Sequence, residues 1–327
     1  CSNLFSLRDV YLARRRIARF IRRTPLIYSK RFSKILGCDV YLKLENMQVT
    51  RAFKVRGGVN YVLSKEDEAR RHGLITASTG NHAQSIAYAG SLVGARVVIV
   101  MPHNVPEIKV NAVKELGAEI VFHGDIFDEA LDYAMELSRK QGLLFVHSVN
   151  EPLLYPGVGT MHLEVVEDLP DVDIVINPIG GGSGASSAVV VYKTIDPGIS
   201  VIGVQAEGAP SMYMSLMEKK PVSTGYAKTI AEGLAVSRTY EYPFNILRDR
   251  INDVVLVNDN EILRAVKLLV ELEGQVTEPA GAASVAAAFK LKDRLQNKNV
   301  VLMITGGNID PSLLRNLMSN ATRDMSM

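Results

Sequence analysis

Short apolar runs alternate with longer helical patterns along nearly the whole of this 327-residue chain. The apolar runs are rich in Val, Ile and Leu, and they predict strands at 39–44, 74–78, 96–101, 119–122, 143–147, 173–179, 200–206, 253–257 and 299–305. Between them, helical patterns lie at 82–93, 107–116, 128–140, 185–192, 260–272 and 279–292. Strands that are apolar on both faces and separated by helices are typical of parallel sheets covered on both sides. The alternation therefore predicts an α/β fold with open parallel sheets.

The length exceeds that of most single domains, so we expect two. A loop is expected around Gln48, and Pro and Gly cluster at 150–156 after a predicted strand. These breaks predict a small domain at 48–151 and a large domain made of 1–47 and 152–327.

Composition narrows the possible function classes. The 37 basic and 35 acidic residues are interspersed and give a net charge of +2, so nucleic acid is not a favoured partner. No apolar run reaches the roughly 18–20 residues that span a bilayer, and no signal peptide is evident, which predicts a cytoplasmic protein without a membrane partner. Two cysteines and six scattered histidines predict neither a disulfide framework nor a metal site. Cys1 in place of an initiating Met suggests that residue 1 is not the native start.

Lys54 lies between an aromatic residue, Phe53, and the glycine pair Gly57–Gly58. A lysine that forms a Schiff base must lose its proton, must be held by its neighbours and must lie near a site for an anionic cofactor. A solvated lysine at a helix start is the alternative. If such companions exist elsewhere in the chain, Lys54 indicates an enzyme.

A glycine-rich loop follows the strand at 173–179 and precedes a helical run; it consists of Gly180, Gly181, Gly182, Ser183 and Gly184. Glycine N–H groups can approach a phosphate closely, and the helix N-terminus adds partial positive charge. The spacing matches neither the dinucleotide nor the nucleoside-triphosphate pattern. The loop therefore predicts a different phosphate ligand, with a purely structural turn as the alternative.

Two further turns follow strand ends, where ligands gather in open α/β sheets. One contains Ser78, Thr79, Gly80, Asn81 and His82, and its hydroxyls and helix-start amides suit a carboxylate. The other begins at Thr305 and continues through Gly306 and Gly307. Helix capping and an ordinary turn are the respective alternatives.

Together these four segments resemble the fold-type II pyridoxal-phosphate enzymes, whose fold is tryptophan synthase β-like. Within them, the chain resembles the threonine and serine dehydratase branch that also contains serine racemase. The resemblance runs from 23–26 to 305–308 in the family's order, and 231–236 and 278–282 are also similar to dehydratase segments. Val55 supports this branch, because cysteine and threonine synthases usually carry an aspartate there.

The resemblance implies that pyridoxal 5'-phosphate is held by Lys54, with Phe53 beside its ring. It implies that the phosphate is bound by Gly180, Gly181, Gly182, Ser183 and Gly184. Asn81 would contact the ring hydroxyl, Thr305 would face the pyridine nitrogen, and Gly233 and Glu278 would also line the cofactor. The substrate carboxylate would be received by Ser78, Gly80 and His82.

The implied activity is β-elimination of a hydroxyamino acid, L-threonine or L-serine, to 2-oxobutyrate or pyruvate and ammonia. Thr79 keeps racemisation open, because serine racemases carry at this position a serine that works on the face opposite the lysine. The alternatives are thus a serine racemase, a dehydratase of another 3-hydroxyamino acid, and a non-catalytic protein that binds a phosphate ligand.

Departures from the family pattern give further expectations. Arg51 stands where dehydratases commonly have glycine, so we expect a different backbone conformation there, because residues other than glycine rarely adopt positive φ. The racemases' metal site near Glu207 also uses an aspartate, and this chain has Tyr213 at about that place, so no metal is predicted. The resemblance suggests a homodimer, and the short stretch after Thr305 suggests that no regulatory domain is present.

Overall fold

The computed structural model describes residues 4–319, so Cys1 lies outside the described residues. The helices are α1 (Leu7–Ile17), α2 (Lys30–Leu36), α3 (Lys54–Ser64), α4 (Glu66–His72), α5 (Asn81–Val93), α6 (Glu107–Lys114), α7 (Phe127–Gln141), α8 (Leu154–Asp168), α9 (Ser183–Ile195), α10 (Ser211–Glu218), α11 (Glu241–Leu247), α12 (Asp259–Glu273), α13 (Pro279–Lys290) and α14 (Pro311–Ser319). The strands are β1 (Leu26–Tyr28), β2 (Asp39–Leu44), β3 (Leu74–Ala77), β4 (Val97–Met101), β5 (Glu119–Phe122), β6 (Leu144–Phe145), β7 (Ile174–Pro178), β8 (Ser200–Ala206), β9 (Asp253–Val257) and β10 (Asn299–Ile304).

The chain forms two compact units, each discontinuous in sequence. Unit 1 contains the residues up to 23 together with 48–163, and unit 2 contains 24–47 together with the residues from 164 onward. The units differ from the predicted domains in two segments, 4–23 and 152–163, which both belong to unit 1. The reason is packing: α1 lies against α3, and Val10 of α1 lies so close to Gly159 of α8 that a Cβ added there would be 2.7 Å from the valine side chain.

Unit 2 is built on a six-stranded sheet in the order β1-β2-β10-β7-β8-β9. The five strands from β2 to β9 pair in parallel, and β1 pairs antiparallel with β2 at the edge. The three residues of β1 are too few to show a hydrophobic period, which is why sequence patterns miss it. The alanine-rich helix α13 is buried over Pro279–Ala288 and packs against β10, β7, β8 and β9. Its small side chains allow this close approach to the sheet.

Unit 1 is built on a four-stranded sheet in the order β5-β4-β3-β6, with all neighbours parallel. Helix α7 buries Ala130, Leu131 and Ala134 against this sheet, and α3 packs against α5. The strand predicted at 143–147 forms only at Leu144–Phe145, because it is an edge strand that pairs with β3 alone. No helix within the described residues is long and apolar enough to cross a membrane.

The predicted site segments follow the carboxyl ends of strands in both units. Ser78 follows β3 in unit 1, while Gly180 follows β7 and Thr305 follows β10 in unit 2. Because β7 and β10 are adjacent parallel strands, the two segments of unit 2 leave the same edge of the sheet.

Candidate active site

Lys54 is the first residue of α3, and its surroundings in unit 1 change its acidity. Its Nζ lies 5.3 Å from the centroid of the Phe53 ring. Although part of the residue's surface is accessible, burial lowers the pKa of the amine to about 8. About a tenth of Lys54 is therefore neutral at pH 7, far more than for an ordinary lysine, and the neutral form is the one that acts as a nucleophile or a base.

Hydrogen bonds hold the loop that leads into α3. Gln48 and Arg22 pair reciprocally: the Arg22 N–H donates to Gln48 Oε1 at 2.8 Å, and Gln48 Nε2 donates to the Arg22 carbonyl at 2.8 Å. The fully buried Arg56 guanidinium donates to Thr160 Oγ1 at 3.0 Å and to the same Arg22 carbonyl at 3.3 Å. These bonds tie the residues on both sides of Lys54 to the N-terminal segment and to α8.

Arg51 has a φ of +57°, in the left-handed region that favours glycine. Its N–H donates to the Gln48 carbonyl at 2.8 Å, which closes a tight turn. Arg51 thus adopts a conformation that a glycine would adopt readily, and a difference from the dehydratases at this position stays a prediction. The exposed arginine accepts the glycine-like conformation because the turn is held by Gln48.

The turn from Ser78 to His82 connects β3 to α5. The Gly80 N–H donates to Ser78 Oγ at 3.2 Å, so the Ser78 hydroxyl keeps its own proton for another acceptor. A Cβ added to Gly80 would meet no atom within 4 Å, which shows open space beside the turn. Ser78 and Thr79 are both partly exposed, and Asn81 opens the helix. The turn therefore offers hydroxyl donors and a helix start to a small anion.

His82 is buried, and its hydrogen bond fixes its tautomer. Its Nε2 lies 3.2 Å from the Val146 carbonyl, which also accepts from Thr76 Oγ1 at 2.7 Å. Because a carbonyl only accepts, Nε2 carries the proton and Nδ1 is an acceptor. Burial, with a further contribution from the charge of Lys54, lowers the pKa of His82 to about 3. A neutral imidazole whose only N–H is already used has no proton to offer a carboxylate.

In unit 2, close backbone contacts bring the predicted cofactor residues together. A Cβ added to Gly180 would lie 2.1 Å from the Gly233 carbonyl oxygen, and one added to Gly233 would lie 2.9 Å from Ala280 Cβ. The Glu278 N–H donates to the Gly306 carbonyl at 3.1 Å, directly after the buried Thr305. The glycine loop, the 233 segment, the start of α13 and the end of β10 thus form one cluster, which we call the glycine cradle.

The loop itself depends on glycine at specific positions. Gly182 has a φ of +104°, and a Cβ added to Gly184 would lie 2.7 Å from Asn177 Nδ2. Helix α9 begins at Ser183, so the loop lies at a helix N-terminus. Gly181 is partly exposed beside it. Backbone N–H groups at such an end favour an anion.

Gln205 was not identified from the sequence, and it supports this loop. It is fully buried; its Nε2 donates to the Ile179 carbonyl at 3.4 Å, and its Oε1 accepts from the Tyr213 N–H at 2.8 Å. It therefore links the entry of the glycine loop to α10. Its place in an apolar strand is the only sequence signal, since a buried polar side chain needs partners.

Glu207 forms an ion pair with Lys290. Lys290 Nζ lies 3.3 Å from Glu207 and 3.1 Å from Glu261, and it donates to the Leu256 carbonyl at 2.8 Å. Across residues 4–319, no group of three or more His, Cys, Asp or Glu side chains is arranged to hold a metal ion.

The residues present fit pyridoxal phosphate by their chemistry. Lys54 supplies an amine with a lowered pKa, which an aldehyde requires. The glycine cradle supplies a helix N-terminus with glycines where any Cβ would collide, which a phosphate requires. Thr305 supplies a buried hydroxyl rather than a carboxylate.

Comparisons with known proteins agree with this chemistry. Residues 17–306 match the family model described as pyridoxal-phosphate dependent enzyme. The chain is 38% identical over 316 residues to an L-threonine ammonia-lyase of Thermotoga maritima, covering 97% of this chain and 79% of that protein. Among solved structures it is similar to maize serine racemase (TM-score 0.91, 30% identity, 97% of both chains). It is also similar to the processed form of threonine deaminase isoform 2 from Solanum lycopersicum (TM-score 0.91, 34% identity, 97% of this chain and 92% of that one).

These findings confirm the predicted fold-type II architecture, the enzyme class and the pyridoxal-phosphate cofactor. The match covers both units and includes Lys54 and the glycine cradle. The chain belongs to the family of pyridoxal-phosphate-dependent enzymes.

Proposed function

We propose that this protein catalyses the β-elimination of a hydroxyamino acid, L-threonine or L-serine, to 2-oxobutyrate or pyruvate and ammonia. The observation that carries the proposal is the Lys54 amine, whose pKa burial lowers to about 8, in the same unit as a turn suited to a carboxylate. Relatives described as L-threonine ammonia-lyases, 38% and 40% identical over 90% or more of the chain, support the substrate class.

Lys54 has two roles in this proposal. Its neutral amine would hold the cofactor covalently, and when the amine is free it would accept the Cα proton of the substrate. Pyridoxal phosphate, when bound, supplies the electron sink that stabilises the resulting negative charge. Lys54 then holds a proton close to the reacting carbon, and burial favours its release again.

The other predicted contacts have supporting roles. Phe53 packs beside the cofactor ring, Asn81 binds the ring hydroxyl, and Thr305 hydrogen-bonds the ring nitrogen without the charge that an aspartate would bring. The phosphate is held by Gly180, Gly181, Gly182, Ser183 and Gly184, with Gly233 and Glu278 beside them. A neutral partner at the ring nitrogen favours rapid loss of the β substituent over a long-lived carbanion.

For the substrate carboxylate, we assign donors among the residues of the turn that have protons to give. The Ser78 hydroxyl is available because it accepts from the Gly80 N–H instead of donating to it, and Thr79 is partly exposed beside it. His82 is not among the donors to the substrate carboxylate, since its Nε2–H donates to the Val146 carbonyl. His82 instead packs the start of α5 against the end of β6.

Racemisation of serine is the second candidate. It is favoured by the exposed position of Thr79 and by the similarity to maize serine racemase. A Thr79 hydroxyl that returns a proton to Cα from the other side would produce the D-enantiomer.

One assay separates these functions. Protein loaded with pyridoxal phosphate is incubated with L-threonine and with L-serine, while 2-oxo acid, ammonia and D-serine are measured. We expect 2-oxo acid and ammonia in equal amounts as the main products. D-serine in excess of pyruvate would overturn elimination in favour of racemisation. Failure to convert either amino acid would contradict both of these activities and leave a dehydratase of another 3-hydroxyamino acid or a non-catalytic binding protein.

We also propose that the protein is a cytoplasmic homodimer. The family resemblance supports both the dimer and the compartment. Sedimentation equilibrium should give twice the chain mass of 35.8 kDa. A mass of one chain at micromolar concentration would contradict the dimer.

A further inference from the structure

We propose that Ser85 is a positioning residue for Lys54, and that glycine at position 58 exists to make room for it. This inference rests on the proposed function of Lys54 and goes beyond it. The arrangement lies wholly within unit 1, where α3 packs against α5.

The Ser85 hydroxyl donates a hydrogen bond to the Lys54 carbonyl at 2.8 Å. Ser85 is fully buried in the middle of α5, so this bond is shielded from water. Lys54 is the first residue of α3, so its carbonyl also lies within the helical hydrogen-bond pattern, and Ser85 bonds the same oxygen from a second helix. A second element that bonds this carbonyl therefore fixes the backbone from which the amine extends.

Gly58 lies one turn after Lys54 and completes the arrangement. A Cβ added to Gly58 would lie 2.1 Å from Ser85 Oγ and 3.0 Å from the Ser85 carbonyl oxygen. Glycine inside a helix is destabilising relative to alanine, so its presence here needs a reason from packing. The hydroxyl of Ser85 fills the space that an alanine methyl group at position 58 would occupy.

The Ser85 hydroxyl also fixes the position of α5 relative to Lys54. Asn81 lies four residues before Ser85, on the same face of α5, and opens the helix directly after the turn at 78–80. Burial and, to a smaller extent, the charge of Lys54 lower the pKa of His82 in that first turn. Ser85 thus fixes the lysine-bearing turn relative to the carboxylate-binding turn.

The test uses two variants that separate the hydrogen bond from the volume. Ser85→Ala removes the hydroxyl and leaves a gap. Adding Gly58→Ala to Ser85→Ala places a methyl group in the gap, at the cost of a tight 3.0 Å approach to the backbone carbonyl oxygen of residue 85, and restores no hydrogen bond. Ser91→Ala is the matched control, because its hydroxyl bonds the Tyr88 carbonyl near the exposed end of the same helix.

The expected result is a loss of turnover that filling the volume does not repair. With L-threonine, Ser85→Ala should lower kcat by about tenfold while KM changes less than about threefold, because a displaced base weakens the chemical step more than binding. The double variant should unfold at about the wild-type temperature and keep the low kcat. A wild-type kcat in either variant would overturn the positioning role.

A second measurement does not depend on turnover. Pyridoxal phosphate is added to cofactor-free protein, and the covalent bond at Lys54 is trapped with borohydride and quantified by peptide mass spectrometry. We expect both variants to be trapped several-fold more slowly than wild type and Ser91→Ala. Equal rates would overturn the positioning role alone. A wild-type protein that is not trapped at Lys54 would instead overturn the proposed function.

Discussion

The predicted cofactor and substrate residues of unit 1 differ in kind from those of unit 2. Unit 1 supplies side chains whose chemistry depends on burial and hydrogen bonds, above all Lys54, Ser78 and His82. Unit 2 supplies a glycine cradle, in which backbone atoms approach so closely that Gly180 and Gly233 have no room for a Cβ. Burial and hydrogen bonding therefore set the chemistry of these unit 1 side chains, whereas steric exclusion at Cα shapes the glycine cradle of unit 2.

Because of this difference, the two regions are expected to tolerate different substitutions. In unit 1 the loop before Lys54 contains an arginine, Arg51, in the left-handed conformation. Hydrogen bonds from Gln48 and Arg56 to the Arg22 carbonyl hold the residues on either side of it. In unit 2 a single methyl group is enough to displace a carbonyl. Substitutions that remove a functional group in unit 1 should therefore differ in effect from those that add volume at Cα in unit 2.

The largest effect should come from Lys54→Ala. We expect a loss of about 10⁴-fold in kcat/KM for L-threonine, because the variant lacks both the covalent attachment and the base. The unfolding temperature should stay close to that of wild type. Lys114→Gln, which changes an exposed lysine at the end of α6, is the control and should keep full activity. Retention of more than about one per cent of activity in Lys54→Ala would show that another group is the base.

The second largest effect should come from adding a methyl group at Gly180 in unit 2. Gly180→Ala places a Cβ 2.1 Å from the Gly233 carbonyl oxygen, so the cradle must open. Overpacking of this kind costs about 1–3 kcal/mol, so we expect affinity for pyridoxal phosphate to fall by about 10- to 100-fold. Titration followed by cofactor absorbance measures it. Gly198→Ala, whose Cβ would meet only the flexible Asp196 side chain, is the control. Equal affinity in the two variants would mean that the cradle does not hold the phosphate.

The smallest effect on elimination should come from Thr79→Ala, which removes a hydroxyl from unit 1 and leaves the backbone of the turn. We expect 2-oxo acid formation to change less than about threefold, while any D-serine formation falls by about tenfold or more. Chiral chromatography of the products measures both. If elimination fell as far as racemisation, Thr79 would serve the substrate carboxylate and not a proton transfer.

Much of the fold follows from sequence pattern. The strands at 39–44, 119–122, 200–206 and 253–257 are formed at the predicted residues, because short apolar runs bounded by turn signals are typical of strands in parallel sheets. The edge strands β1 and β6 are poorly predicted, since two or three residues carry no period. The placement of 4–23 in unit 1 also escapes sequence reasoning, because it depends on which surface α1 packs against.

The site shows the same limit. Lys54 and the glycine loop stand out because their residue types are unusual at those places in the sequence. The tautomer of His82 cannot be predicted from local sequence, because it is set by the Val146 carbonyl, 64 residues away. The role of Ser85 depends on the Lys54 carbonyl in another helix, so no local pattern marks it.

The central claim is that Lys54 is a buried amine of lowered pKa that captures the cofactor. The most direct test is the pH dependence of borohydride-trapped pyridoxal phosphate at Lys54 in cofactor-free protein. Only the neutral amine reacts, so the initial rate of capture should rise with pH and reach its midpoint near pH 8, the value to which burial lowers the lysine pKa. A midpoint near the ordinary lysine pKa of 10.5, or a trapped adduct at another lysine, would contradict the account.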